Sequence, residues 1–263
     1  LSKELKIGLN SIIFIDENSF EINSVKKELP EVLGFKVPDN LYEYPKFLQK
    51  IENLYFSKLL TKEDLIRNKS YEINKVRKSL ENKSQNLEKF LNSLKIKINI
   101  EKNKYAHLDR IVQMCQRTNQ FNFTSKRYFH KDILRILRDK NYHVFTFDIQ
   151  DKFGSYGITA LLISKTNKSK KQVSLDSFLM SCRVLGKNIH LSIFDFIIKY
   201  YRKIGYKNLL VNYIPTQKNI LLKQVLLELD FHENNEKNNC IFNIDIERYV
   251  KKSKNNFIIK YNG

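Results

Sequence analysis

The sequence predicts a mixed α/β chain built as more than one unit, and three observations carry that reading. With 263 residues, the chain exceeds the ~100 to 150 residues at which single domains are commonest, so two cores are expected. Near the start, the β-branched run Ser11 to Asp16 reads as a buried parallel strand ending on acids. From His143 to Ile244, apolar runs follow the order strand, strand, strand, helix, strand, helix, strand, which makes an α+β or mixed α/β domain around a central sheet.

Taken in order, Leu1 to Lys6 reads as a helix closed by Gly8, and a chain that opens inside a helix, on Leu rather than Met, reads as truncated at its start. After the first strand, Glu21 to Glu28 forms a short helix stopped before Pro30, and LPEV leads into a loop holding Pro38 and Pro45. Phe47 to Leu59 is helical again. Thr61, with Asp64 three residues on, is a good N-cap for a charged helix reaching about Lys83, with a narrow stripe of Ile73, Val76 and Leu80. Together with a short helix at Leu87 to Leu94, residues 61–94 read as a helical connector between units at 1–60 and 95–250.

In the second unit, Ile96, Ile98 and Ile100 alternate with Lys and Asn as in a half-exposed strand, and Leu108, Ile111, Val112 and Cys115 share a helix face. Strands follow at His143 to Ile149, Ile158 to Ser164 and Val173 to Cys182, with a turn at Gly154. Then come helix Ile189 to Ile204, strand Asn208 to Tyr213, helix Gln217 to Leu229 and strand Cys240 to Ile244. The Lys- and Asn-rich tail at 251–263 is expected to fray.

A net charge of +19 points toward an anionic partner. The excess is spread along the chain, however, and the lysine clusters Lys168 to Lys171 and Lys251 to Lys254 hold no aromatic residue on which a base would stack, so no nucleic acid is expected. No apolar run reaches the ~18 to 20 residues that span a bilayer, so no membrane partner is expected. Cys115, Cys182 and Cys240 form no metal-type pair and suit a reducing, cytoplasmic compartment.

Five groups of residues carry candidate chemistry. In FIDEN, Asp16 and Glu17 stand at a strand tip, where adjacent carboxylates suit Mg2+; an Asx-type turn capping the next helix explains them equally well. Arg183 to Ile198 joins a strand to a helix through a short loop, where backbone N–H groups near Gly186 and Asn188, helped by Lys187, suit a pyrophosphate; an ordinary turn is the alternative. Cys182, beside Arg183, is either an acyl-accepting thiol or, by its strand face shared with Phe178 and Met180, a buried small hydrophobe, and the second is favoured. Arg117, Asn119, Gln120 and Asn122 either bind substrate or pantetheine or cap a helix, while Asp151, Phe153, Gly154 and Gly157 fit a bulged hairpin as well as a binding loop. The histidines at 107, 130, 143, 190 and 232 form no triad or ligand spacing.

FIDEN with Glu21 and LPEV, then TNQFN with Thr124, DKFGSYG and FLMSCRVLGK, in that order over about 170 residues, resemble the blocks of the FkbH-like family. That resemblance implies the C-terminal end of a HAD-like Rossmannoid domain, a helical connector and a GNAT-like α+β domain with a central mixed sheet. It implies Asp16 as a catalytic and metal-ligating carboxylate with Glu17 beside it, and Glu17 departs from the second Asp usual in the family. It further implies a phosphorylated small-molecule acyl donor and transfer of a glyceryl or other acyl group to the phosphopantetheine thiol of an acyl carrier protein, or use of CoA. The Asp-x-Asp pair, the Ser or Thr and the Lys on which HAD chemistry depends cannot be placed in this chain, so phosphatase chemistry is not expected of it alone. A non-catalytic carrier-docking module and a stand-alone GNAT-type N-acyltransferase are the alternatives.

Overall fold

The computed structural model describes residues 9, 12–55, 73, 76, 77, 79–82, 84, 86–118, 121–216, 219–236 and 239–263. The helix expected over Leu1 to Lys6 and most of the expected 61–83 helix lie outside them. The chain divides into two compact units, Leu1–Leu60 and Thr61–Gly263.

In the first unit, β1 (Ile13–Asp16), α1 (Ser19–Glu28) and β2 (Leu33–Lys36) form one β-α-β crossover, with β1 and β2 parallel from Ile13↔Leu33 to Asp16↔Lys36. Asn18 caps α1 by accepting the Phe20 N–H, which releases the chain from the strand directly into the helix. Gly34 allows the closing contact: a Cβ there would meet Ile22 Cγ2 of α1 at 2.8 Å. This glycine, flanked by Pro30 and Pro38, hides the strand in what reads as a loop. Helix α2 (Tyr44–Tyr55) follows.

The second unit is built on a mixed eight-stranded sheet. Its described elements are α3 (Leu87–Ser93), β3 (Lys97–Lys102), α4 (Leu108–Arg117), α5 (His130–Arg138), β4 (Tyr142–Asp151), β5 (Gly154–Asn167), β6 (Gln172–Met180), α6 (Ile189–Lys203), β7 (Asn208–Tyr213), α7 (Ile220–Glu228), β8 (His232–Glu236), β9 (Asn239–Asp245) and β10 (Ile258–Asn262). The strand order is β10-β3-β4-β5-β6-β7-β9-β8. Neighbours pair antiparallel except β10 with β3 and β6 with β7, which are parallel.

Burial explains the layering. One apolar cluster joins α4 and α5 to one set of side chains from β4, β5 and β6, Leu179 among them. The other joins α3, α6 and α7 to the opposite set, including Phe178 and Met180. Adjacent residues of a strand face opposite ways, so the sheet lies between two helical layers. Helix α6 is apolar nearly all round because seven of its large side chains, from Ile189 to Tyr201, are buried in that core.

One feature differs from the sequence reading and a second adds to it. The 251–263 tail does not fray: β10 pairs in register with β3 from Ile258↔Lys97 to Asn262↔Glu101, and Asp195 on α6 holds the approach by accepting the Tyr249 hydroxyl and the Lys252 and Ser253 N–H groups. Charge composition concealed this, because backbone pairing supplies the order. The DKFGSYG hairpin is tied down by a buried ion pair: Arg77 donates to both oxygens of Asp151 at 2.8 and 2.7 Å, with side-chain exposures of 5% and 0%. Tyr156 and the Phe153 N–H also donate to that carboxylate, and the guanidinium stacks over the Tyr156 ring. Burial pushes the Asp151 carboxyl up, but the bonds from Arg77, Tyr156 and Phe153 outweigh it and hold it below 3.8.

Arg77→Ala leaves that carboxylate buried without its cation and is predicted to cost about 3 to 5 kcal/mol in urea unfolding at neutral pH. A depressed carboxyl contributes stability that is complete above its unfolded value and is lost as pH falls through the folded one. The advantage of wild type over Asp151→Asn should therefore hold down to about pH 4 and shrink below 3.8. An Arg77→Ala loss under ~1 kcal/mol, typical of a surface pair, would overturn this account.

Candidate functional site

The parallel pair β6–β7 opens partway along its length. Register runs from Gln172↔Asn208 to Leu175↔Val211 and stops, although β6 continues to Met180 and β7 to Tyr213. Past that point the two strands no longer bond each other, leaving backbone edges that need other partners.

The segment 121–128 enters this opening. The Ile214 N–H, just after β7, donates to the Phe123 carbonyl at 2.9 Å. Buried Asn219 fastens the same side: its Nδ2 donates to the Asn122 and Ile214 carbonyls, and its Oδ1 accepts the Thr216 N–H and the Tyr213 hydroxyl. On the β6 side, Asp176 accepts Lys126 Nζ at 2.6 Å and the Tyr128 hydroxyl. Phe121 and Phe123 both pack on Phe178, at centroid distances of 5.9 and 6.2 Å. They belong to the α6 side of the sheet and Tyr128 to the α4–α5 side, so the segment crosses from one face to the other within the gap.

At the end of β6 the chain turns through Cys182–Val184 into α6. Ser181 caps the turn, accepting the Arg183 N–H at 3.4 Å and Arg183 Nε at 3.3 Å. Gly186 and Asn188 adopt left-handed φ of 77° and 54°, and a Cβ at Gly186 would meet nothing within 4 Å. Alternation with left-handed residues turns backbone N–H groups into one concavity. Asn188 precedes α6 without a side-chain cap, so the first-turn N–H groups take no bond from it. His190, in that first turn, has its ring 6.1 Å from Phe121. Burial lowers its imidazole to about 4, leaving it neutral at neutral pH.

The sequence candidates fall into distinct places. Phe178 to Lys187 and Asn122 meet at the opening; Asn119 and Gln120 lie outside the described residues. Asp151, Phe153 and Gly154 form the hairpin end of β4 and β5 and Gly157 follows on β5, with Asp151 saturated by Arg77, Tyr156 and Phe153. Arg117 ends α4. Asp16, at the tip of β1, accepts the Asn18 N–H at 2.8 Å, which is the turn geometry, and Glu17 is exposed. Among the described residues no group of three His, Cys, Asp or Glu is placed to hold a metal. Asp16 and Glu17 belong to no such group among the described residues, and no step is derived through a magnesium ion.

Cys182 corrects the favoured reading. The strand ends at Met180, and Cys182 lies exposed in the following turn rather than on the Phe178–Met180 face. Cys115 is buried on α4, and burial pushes its thiol up to about 12. Cys240, on β9, is raised to about 11 by burial and by its bond to Glu233. Asp176 and Tyr128 went unread in the sequence, since they gain their roles from partners 48 or more positions away, and the environment of His190 comes from burial. The exception in principle was α5, whose Ile133, Ile136 and Leu137 carry a helical spacing.

No protein-family model matches the chain, and no curated protein matches it. Solved structures that are similar include the ribosomal-protein-S18-alanine N-acetyltransferase of Escherichia coli, at TM-score 0.45 and 12% identity over 59% of this chain and 98% of that one. A spermidine N-acetyltransferase variant from Vibrio cholerae gives 0.46 and 12% over 60% and 99%. The GNAT domain of an S. lividans protein gives 0.46 and 12% over 56% and 89%. Scores of this size lend nothing to function, and the reading below rests on the chain's own strands and loop.

The thiol environments predict an order of alkylation. Thiolate is the reactive form, so iodoacetamide at pH 8 should modify Cys182 first and leave Cys115 protected until the chain unfolds. Peptide mapping checks this, and modification of Cys115 at a rate equal to Cys182 in the folded chain would contradict it.

Proposed function

We propose that the larger unit is a GNAT-type acyltransferase domain that seats a pantetheine thioester in the opening between β6 and β7. The observation that carries this reading is the parallel pairing that ends at Leu175↔Val211 while β6 runs on to Met180 and the loop 181–188. An extended pantetheine chain carries amides that pair with an unpaired strand edge, as a peptide does in strand addition. Its phosphates suit the N–H groups gathered by left-handed Gly186 and Asn188 and the uncapped start of α6, with Lys187 adding charge. CoA, or the phosphopantetheine of a carrier protein, supplies the activated acyl group. The chain's part is to hold that thioester, keep water out with Phe121, Phe123 and Phe178, and place the acyl carbon beside the acceptor.

A narrower reading makes the acceptor the phosphopantetheine thiol of an acyl carrier protein, with a phosphorylated acyl donor handled by a HAD-type partner domain, as FkbH-like proteins do. One observation favours it: two of the blocks that carry the resemblance, around Phe121 to Thr124 and Phe178 to Lys187, meet at the same opening despite their separation in sequence. The excess of lysine suits an acidic carrier.

Incubation of the purified chain with labelled acyl-CoA, and separately with candidate amines or an acylated carrier protein, tests both readings. Saturable acyl-CoA binding is expected, and Lys187→Glu should weaken it about tenfold, ~1.4 kcal/mol, within the range of one charged hydrogen bond. Unchanged affinity in Lys187→Glu removes the phosphate assignment. Turnover onto amines supports the stand-alone enzyme, turnover onto the carrier supports the narrower reading, and binding without any turnover leaves a docking module.

A further inference from the structure

A second concavity lies at the other end of β6. It encloses about 500 Å³, within the ~300 to 1,000 Å³ range of small-molecule sites. Lys102, Lys140, Lys168 and Lys171 line it together with Tyr200 and Tyr206, and no carboxylate does. The two acids adjacent to these lysines in sequence are engaged elsewhere: Asp139 accepts the Asn141 N–H, and Glu101 faces Lys104 and His107. Among the described residues no carboxylate pairs with Lys140, Lys168 or Lys171, and all three are exposed. Lys102 donates to the Tyr200 hydroxyl at 2.8 Å, which fixes its ammonium at the wall.

The frame around these lysines is rigid. The Lys171 carbonyl accepts the Lys207 and Asn208 N–H groups, binding the β5–β6 turn to the start of β7. The Thr166 N–H and hydroxyl both donate to the Asn141 carbonyl, binding the loop that holds Lys140 to β5. His143, also at the wall, stacks on Tyr201 and bonds its hydroxyl. Burial and then Lys102 lower its imidazole to about 4, so it adds no charge at neutral pH. Four ammonium groups around one concavity repel one another unless an anion joins them.

We propose that this cavity is an anion site for a small phosphate-bearing molecule, its phosphates on the lysines and its uncharged part against Tyr200 and Tyr206. It is separate from the loop 181–188: β6, Gln172–Met180, spans about 26 Å between them at ~3.3 Å per residue. The concave shape favours a small molecule over a long polyanion, which needs a continuous basic track.

Equilibrium dialysis of the full chain with labelled pyrophosphate tests this, run in the Lys187→Glu background so that the loop 181–188 does not contribute. Saturable binding is expected, weakened at least tenfold by Lys140→Gln with Lys168→Gln. The same charge loss through Lys97→Gln with Lys260→Gln, two exposed lysines on β3 and β10, should leave affinity unchanged. Circular dichroism confirms that each variant folds. Absence of saturable binding, equal weakening by both pairs, or binding of heparin without binding of pyrophosphate would each overturn the assignment.

Discussion

The second unit depends on one short stretch of backbone pairing. β6 and β7 are parallel, so they cannot be joined by a turn, and α6 must carry the chain across the sheet face between them. Four residue pairs fix the direction of both strands, and beyond Leu175↔Val211 the pairing gives way to a gap. The β5–β6 ladder skips Asp176 of β6 between Ile163↔Ser177 and Ser164↔Leu175, and such a bulge adds local twist just where the separation begins. Edges exposed inside a sheet are costly unless something bonds them. On the β7 side the 121–128 segment does so through Phe123 and Asn122. On the β6 side past Leu175, the described contacts across the gap are made by side chains, through Asp176 and Phe178. That edge is the one the proposed pantetheine chain would pair with.

The acids of this unit are few, and several are consumed internally. Asp151 binds Arg77 and its own hairpin, Asp176 clasps Lys126 and Tyr128 across the opening, and Asp195 secures the chain leading to β10. Each accepts two or more donors, which is how a buried carboxylate offsets its desolvation. The consequence is electrostatic. With these three acids taken up in fastening loops, Lys140, Lys168 and Lys171 have no carboxylate pair among the described residues, and a chain whose charge is spread evenly along the sequence acquires a local basic concavity only on folding.

Much of the larger fold was legible because its signals are local. Strand Asn208 to Tyr213 and helix Ile189 to Lys203 stand where periodicity places them, to within a residue. β8 was not legible: its sequence HENNE has no apolar alternation, and it is a strand because it pairs with β9 at the sheet edge. β2 was hidden by Gly34, which is present because α1 leaves no space for a side chain. The loop at Arg183 to Asn188 was visible as a candidate, while the gap that gives it meaning depends on register between strands 36 residues apart, 172 to 208, which no local pattern encodes. Cys182 was misread for a related reason, since strand alternation was carried past the residue where β6 ends.

Helix α6 is the common wall of both concavities. Its first turn, with Ile189 and His190, stands at the opening, and its last turns, with Tyr200 and Ile204 just beyond, stand at the lysine-lined cavity. Fifteen residues make a rod of about 22 Å at ~1.5 Å per residue. Between its ends Ile193, Phe194, Ile197, Ile198 and Tyr201 are each fully buried, and close-packed interiors do not deform continuously. An anion at one end therefore cannot reshape the other by bending the helix. Any influence has to act through rigid displacement of α6 over the sheet, and that displacement is resisted by the Tyr201 bonds to Ser164 and His143 and by the three donors that Asp195 accepts from the chain before β10. The edge strand β10 is thus mechanically connected to the opening, through Asp195 and through the packing of Tyr261 on Phe196 and Tyr200 of α6.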